Sequence, residues 1–157
     1  STDQVDSLTS TQVSGLSTTQ LNALQTTDVA ALTTTQARSL TSAQVSGLTT
    51  TQVNALETTD VAALTVTQVG NLTTTQTGAL TTTTLSGITS TQVAALTTTQ
   101  INALSTTNAA ALSTTQIDGL SAAQVSGLST TTLNALSTTG VASLSSTQAA
   151  GITSTQS

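Results

Sequence analysis

Apolar residues recur along this chain with a strict period of eight. Every eighth position from 8 to 152 holds Leu or Ile, nineteen times in succession, without an insertion or a deletion. We number the octad from this residue, and its consensus is Leu–Ser/Thr–Thr/Ser–Thr–Gln–Val–x–Ala/Gly. A fixed short period is typical of stacked arrays, in which each unit buries its apolar face against its neighbours. We therefore predict that residues 1–157 form one continuous array of about 20 octads.

A single long helix cannot accommodate this period. An α-helix turns by about 100° per residue, so an eight-residue repeat moves the Leu stripe about 80° around the helix in each octad. After five octads the stripe would have circled the helix, and no apolar seam would form. Runs of β-branched Thr also disfavour a helix interior. The pattern excludes a straight helix and a coiled coil.

Each octad carries the sequence signature of a helix N-terminus. Position 2 is Ser or Thr and position 5 is Gln, which together make the S/T-x-x-Q capping box. In one copy the Thr97 hydroxyl would accept from the Gln100 backbone N–H, and the Gln100 side chain would accept from the Thr97 N–H. Leu96 and Ile101 would then form a hydrophobic staple across the helix start. The octad predicts an all-α solenoid of very short N-capped helices, one per repeat.

Other positions indicate where these helices end and which of them are weak. Position 8 is mostly Gly or Ala, residues that suit a helix end, where a left-handed conformation is common. Small side chains there would also let adjacent backbones approach closely. Gln25 and Glu57 replace the capping hydroxyl and Gly140 removes the box partner, so we expect those three octads to be weaker. Asp28 and Asp60 take the Gln position, where the helix dipole favours a carboxylate.

A parallel β-solenoid with two octads in each 16-residue coil is the alternative fold. The β-branched content supports it, as does an alternation of positions 6 and 8 inward with position 7 outward. The triplet Asn-Ala-Leu begins at residues 22, 54, 102 and 134, which are separated by multiples of 16. This spacing is consistent with a structural turn of an even number of octads, or with duplication history alone. Far-UV circular dichroism separates the helical and strand models.

The constraint on each position predicts which side chains face inward. Positions 1, 4, 6 and 8 are restricted, whereas position 7 varies freely, so we expect position 7 to face solvent or neighbouring subunits. Position 4 is almost always Thr and never Ser, which indicates that the methyl group matters. We expect that methyl to pack between neighbouring helices. The alternative is an outward array of hydroxyls and methyls, typical of ice-binding solenoids.

The composition excludes most chemistry. The chain has no Phe, Trp, Tyr, Met, Cys, His or Pro, its only basic residue is Arg38, and its formal net charge is −5. Without thiolates or imidazoles we expect no catalytic, cofactor-binding or metal-binding residues and no enzyme. Without aromatic side chains and with one cation we expect no nucleic-acid partner. Apolar runs reach only about four residues, far short of the ~20 that span a bilayer, so we expect no membrane insertion.

The ends of the array carry no capping repeats. Residues 1–7 are an octad without its Leu, and residues 152–157 are an octad cut short. Solenoids normally close with polar terminal repeats. We therefore expect either that the natural chain continues or that subunits join end to end, so that the partner is a homopolymer or a longer array.

The run Leu-Thr-Thr-Thr-Gln-Val-Asn-Ala-Leu at Leu48–Leu56 resembles octapeptide arrays in very large bacterial surface proteins. Those proteins are labelled adhesin, haemagglutinin-like or haem-utilisation proteins. The resemblance covers the whole chain and implies an extracellular or cell-surface setting. No side chain here could ligate haem iron. We expect a structural rod or filament subunit of an extracellular bacterial fibre, sheath or adhesin stalk; the alternative is a Thr surface that binds ice or carbohydrate.

Overall fold

The chain folds into an all-α solenoid of short helices. The computed structural model describes residues 2–153 and residue 156, and within them nineteen helices of four to six residues follow one another without a strand. The helices are α1 Thr2–Asp6, α2 Ser10–Gly15, α3 Thr18–Asn22, α4 Thr26–Ala30, α5 Thr34–Ser39, α6 Ser42–Gly47, α7 Thr50–Val53, α8 Thr58–Ala63, α9 Val66–Gly70, α10 Thr74–Gly78, α11 Thr82–Ser86, α12 Ser90–Ala95, α13 Thr98–Asn102, α14 Thr106–Ala111, α15 Thr114–Asp118, α16 Ala122–Ser126, α17 Thr130–Ala135, α18 Thr138–Ser143 and α19 Ser146–Ala149.

The helices begin where the capping box places them. Position 2 is the N-cap in extended conformation, as at Thr97, with φ −72° and ψ 155°. The Gln100 N–H donates to the Thr97 hydroxyl at 3.2 Å, and the Thr97 N–H donates to Gln100 Oε1 at 2.6 Å. The side chains of Gln25 and Glu57 make no cap bond, as predicted, although the Gln25 N–H still donates to the Asp28 carboxylate at 3.2 Å. The local prediction of one capped helix per octad is confirmed.

The helices end differently from the prediction. No described residue has a positive φ, so the expected left-handed residue at position 8 is wrong. The chain instead leaves the helix at the next Leu or just before it. Leu96, for example, has φ −70° and ψ 141°, and its N–H donates to the Val93 carbonyl at 3.1 Å. Because this extended Leu immediately precedes the next N-cap, no left-handed turn is needed to reverse the chain.

One superhelical turn takes between three and four octads. Helices three apart in the chain pack against each other, as α5 does on α8 and α9 on α12. Hydrogen bonds between turns join residues 25 to 31 positions apart, as in the pairs Asn54–Ala79 and Gln92–Val61. The prediction of an even number of octads in each turn is therefore wrong. The 16-residue coil of the β-solenoid is likewise absent from the described residues.

The core lies along the solenoid axis and is filled by positions 1 and 6. Side chains such as Val69, Leu72 and Ile117 are 0–5% exposed, and both rows run through the whole array. Position 7 is never buried in the described copies, as predicted. Two assignments change. Position 4 is exposed in every described copy, so the expected packing of its methyl between helices is wrong, and position 5 is buried from residue 28 onward.

Substitutions at the N-cap test the local model with opposite signs. Thr97→Ala removes an acceptor that the Gln100 N–H uses, and we expect a loss of about 1 kcal/mol in the free energy of unfolding. Gln25→Thr supplies a hydroxyl where the cap is missing, and we expect a gain of about 0.5–1 kcal/mol. Urea denaturation followed by far-UV circular dichroism measures both, because the chain has no aromatic fluorophore. Equal signs would contradict the capped-octad model.

Candidate functional site

A ladder of buried glutamine side chains joins each turn of the solenoid to the turn before it. We call the position-5 side chains that make this contact the glutamine ladder, and they are Gln36, Gln44, Gln52, Gln68, Gln76, Gln92, Gln100, Gln116, Gln124, Gln148 and Gln156. Each is 2–7% exposed. Since the octad places one such side chain in most repeats, the same joint recurs along the solenoid.

Each ladder side chain uses both ends of its amide. Gln92 Oε1 accepts from the Thr89 N–H at 2.7 Å, which closes the capping box of its own helix. Gln92 Nε2 donates to the carbonyls of Val61 at 2.8 Å and Leu64 at 2.7 Å, 31 and 28 residues earlier. One side chain therefore starts a helix and ties it to the preceding turn. A buried amide with donors and acceptor all paired carries no desolvation penalty, which explains how so polar a group lies beside the core.

Two ladder positions hold Thr, and an asparagine from the preceding turn compensates. Thr84 and Thr132 are too short to accept from their own N-cap N–H groups. Instead the Thr81 N–H donates to Asn54 Oδ1 at 2.9 Å, and the Ser129 N–H donates to Asn102 Oδ1 at 2.8 Å. Each asparagine also donates forward, Asn54 to the Ala79 carbonyl at 2.7 Å.

The paired Asn and Thr positions predict an energetic coupling. Asn54→Ala leaves the Thr81 N–H without its acceptor, and we expect a loss of about 1–2 kcal/mol in the free energy of unfolding. In the Thr84→Gln background that loss should shrink, because the introduced amide oxygen would accept from the same N–H. Asn22→Ala is the control, since Asn22 only donates, to the Gly47 carbonyl. A double-mutant cycle in urea measures the coupling, and additive losses would contradict it.

Position 8 lies where successive turns approach most closely. A Cβ added at Gly87 would lie 2.7 Å from the Thr58 carbonyl oxygen, and one at Gly119 would lie 2.5 Å from that of Ser90. In both cases the partner is the first helical residue of an octad 29 positions earlier. The predicted close approach of backbones at position 8 is therefore confirmed at these glycines.

The outer surface carries a regular row of threonines. We call the position-4 threonines the Thr array; they are exposed in every described copy, with Ala43 and Ala123 as interruptions. Within the described residues their hydroxyls make no hydrogen bond to the protein. The Thr array thus presents unpaired hydroxyls and methyls to the exterior, as the alternative prediction has it.

The acidic residues fall into different environments. Asp28 and Asp60 are buried at position 5, whereas Asp3, Asp6, Glu57 and Asp118 are exposed. No group of three or more metal-ligating side chains occurs in the part of the chain that the structure describes. Among the same residues no helix has the length and apolar character needed to cross a bilayer.

The fold and the glutamine ladder define a solenoid repeat protein. Comparison with known families agrees, because the model for the ALTTAQ repeat matches residues 21–58, 53–83 and 78–106, which together exceed half of the chain. The chain belongs to the ALTTAQ-repeat family. No curated protein and no solved structure matches it.

Proposed function

We propose that this chain is a structural element, a solenoid rod that extends by stacking one turn on the next. The observation that supports this most strongly is the glutamine ladder, because every turn offers the following one the same pair of carbonyls and receives the same amide donors. Such an interface contains nothing that limits the number of turns. The role requires no catalytic group, and we propose no enzymatic activity.

The first and last described turns carry complementary halves of this interface. Gln12 and Gln20 accept from their own N-cap N–H groups, but their Nε2 atoms have no hydrogen-bond partner among the described residues. At the other end the carbonyls of Leu133 and Leu136 receive no ladder amide. They lie beside an open depression of about 580 Å³ whose lining includes Val141, which is 43% exposed. A further turn, from the same polypeptide or from another copy, would complete both faces.

Stacking of this kind leads to filaments when separate copies take part. The two faces differ, so the contact is heterologous, and heterologous contacts that do not close into a ring continue as open polymers. The low charge of the chain supports association, because six acids and one Arg create little repulsion along the side of a rod.

We place the rod in an extracellular bacterial fibre, sheath or adhesin stalk. This placement rests on the resemblance of the octad to arrays in large surface proteins and on the hydroxyl-rich exterior. Protease treatment of intact source cells tests it, with detection by an antibody against the array. Digestion of the array while cytoplasmic proteins stay intact would support the placement, and full protection of the array would contradict it.

The polymer is tested by sedimentation and electron microscopy of the 157-residue chain at rising concentration. We expect fibres, and monomers that persist at every concentration would contradict polymerisation. Gln12→Glu with Gln20→Glu places carboxylates against the carbonyls of the neighbouring copy and should abolish fibres. Thr99→Glu with Thr107→Glu adds the same charge on the exposed Thr array and is the matched control. Loss of fibres in both variants would indicate a lateral contact instead.

The exposure of the Thr array supports a second candidate, a surface that binds ice or carbohydrate. Its hydroxyls have no protein partner in the described residues, and Thr is used without Ser. Thermal hysteresis tests the ice version, and its absence at millimolar protein would remove that version. Binding to a glycan array tests the carbohydrate version. Thr→Ser changes along the Thr array keep the hydroxyls and remove the methyls, so they show which group the ligand needs.

A further inference from the structure

Asp60 occupies a rung of the glutamine ladder without a donor to place there. By the spacing of the ladder, its side chain belongs opposite the carbonyls of Val29 and Leu32, 31 and 28 residues earlier. The residue is 2% exposed, and its Oδ2 atom is buried with no hydrogen-bond partner. An ionised carboxylate only accepts hydrogen bonds, so this rung would bring acceptors together without a hydrogen. Neighbouring rungs supply two amide hydrogens at the same place.

A side chain of this length can make the contact. Asn108 is as short as Asp60, occupies the same octad position and donates from Nδ2 to the Leu80 carbonyl, 28 residues earlier, at 2.6 Å. The corresponding partner of Asp60 is the Leu32 carbonyl. The only thing that Asp60 lacks in comparison with Asn108 is a hydrogen on the terminal atom, which one bound proton supplies.

We propose that Asp60 is protonated in the folded solenoid and that its carboxyl O–H donates to the Leu32 carbonyl. The rung is then closed by a proton instead of an amide. Loss of that proton leaves a buried charge facing carbonyl oxygens and weakens the joint between α8 and the preceding turn. This single octad therefore makes the stability of the array sensitive to pH, which the glutamine rungs do not.

The charged groups around Asp60 act in the same direction or lie outside. Glu57 is the exposed N-cap residue of the same helix, and Asp28 holds the same octad position 32 residues earlier. Arg38 is exposed on α5, which packs on α8, and α11, which also packs on α8, has no titratable residue. Burial raises the pKa of Asp60, the charge of Glu57 raises it further, and a hydrogen bond from the Glu57 backbone opposes them.

The direction of the pH effect follows from this. An unfolded Asp titrates near a pKa of about 3.9, and the folded pKa of Asp60 lies above that value. Stabilisation by the bound proton is thus complete below the unfolded pKa and is lost as the pH rises through the folded one. The chain should lose stability between acidic and neutral pH through this group.

Asp60→Asn tests the proposal because it supplies a permanent donor without changing shape. At neutral pH we expect its Tm to exceed that of the unmodified chain by about 3 °C, and the difference should vanish toward pH 4. Asp28→Asn is the matched control, since no residue stands 28 or 31 positions before Asp28. A Tm difference for Asp60→Asn that does not change with pH, or the same profile in Asp28→Asn, would overturn the proposal.

Carboxyl ¹³C NMR of the unmodified chain provides a readout independent of stability. The signal that disappears in Asp60→Asn should titrate at higher pH than an unfolded Asp, and in Glu57→Gln its midpoint should move down. A signal already ionised at pH 4 would overturn the proposal. Calcium or sodium chloride that raises the Tm of the unmodified chain but not of Asp60→Asn would also overturn it, because a cation would then fill the place of the proton.

Discussion

Gln92→Met is expected to lower the free energy of unfolding by about 3 kcal/mol. Methionine keeps the volume and helix propensity of glutamine, so neither a cavity nor a loss of propensity contributes. The substitution leaves the Thr89 N–H and the carbonyls of Val61 and Leu64 without their partner. Buried groups that lose a hydrogen bond cost about 1–3 kcal/mol together, and loss of the capping box adds about 1 kcal/mol.

Gln12→Met separates the two functions of the side chain. Gln12 closes the same capping box but has no preceding turn, so only the local part is lost and we expect about 1 kcal/mol. Urea denaturation followed by far-UV circular dichroism gives both values. Hydrogen exchange at α9 and α12 should show faster opening in Gln92→Met only. If the two variants lose the same stability, the joint between turns contributes nothing.

The local part of the fold could be predicted from the sequence because its cause is local. A capping box and its staple lie within six consecutive residues, as at Leu96–Ile101, and the hydrogen bonds close inside that window. Nineteen apolar positions in phase then make the same signal repeat, which is why the short-helix solenoid could be preferred to the β-solenoid. The broken caps at Gln25 and Glu57 could be predicted for the same reason.

The joint between turns could not be predicted because its partners are distant. The capping box explains only the oxygen of the Gln92 amide, and nothing in the octad shows that the nitrogen bonds to residues 28 and 31 positions earlier. The number of octads per turn is set by how the helices pack, which the period of eight does not contain. For that reason position 5 was expected to serve its own helix only, and the exposed Thr at position 4 was expected inside.

One sequence signal does become intelligible once the turn length is known. Asn54 and Asn102 are 48 residues apart, and so are Thr84 and Thr132. The two asparagines supply the acceptor that the two threonines lack. The recurrence at multiples of 16 is therefore in part a record of compensated rungs, carried along as a block of the sequence. Departures from the octad are informative when a residue 30 positions away departs as well.

Gly119→Ala and Gly15→Ala are expected to change stability in opposite directions. A Cβ at Gly119 would lie 2.5 Å from the Ser90 carbonyl oxygen and 2.9 Å from its carbonyl carbon, so backbone must move, and we expect a loss of about 2–3 kcal/mol. A Cβ at Gly15 meets nothing within 4 Å, and we expect a gain of about 0.5 kcal/mol from the lower entropy of the unfolded chain.

The pair isolates close packing of turns from conformational freedom. Both glycines have negative φ, so alanine suits the backbone at either position, and only the neighbouring turn distinguishes them. The free energies of unfolding in urea measure both effects. A gain at both positions would mean that α12 and α15 can separate without cost, and that hydrogen bonds of the glutamine ladder alone set the spacing of the turns. A loss at Gly119 alone means that ladder and backbone contact fix that spacing together, which is the stiffness that a rod requires.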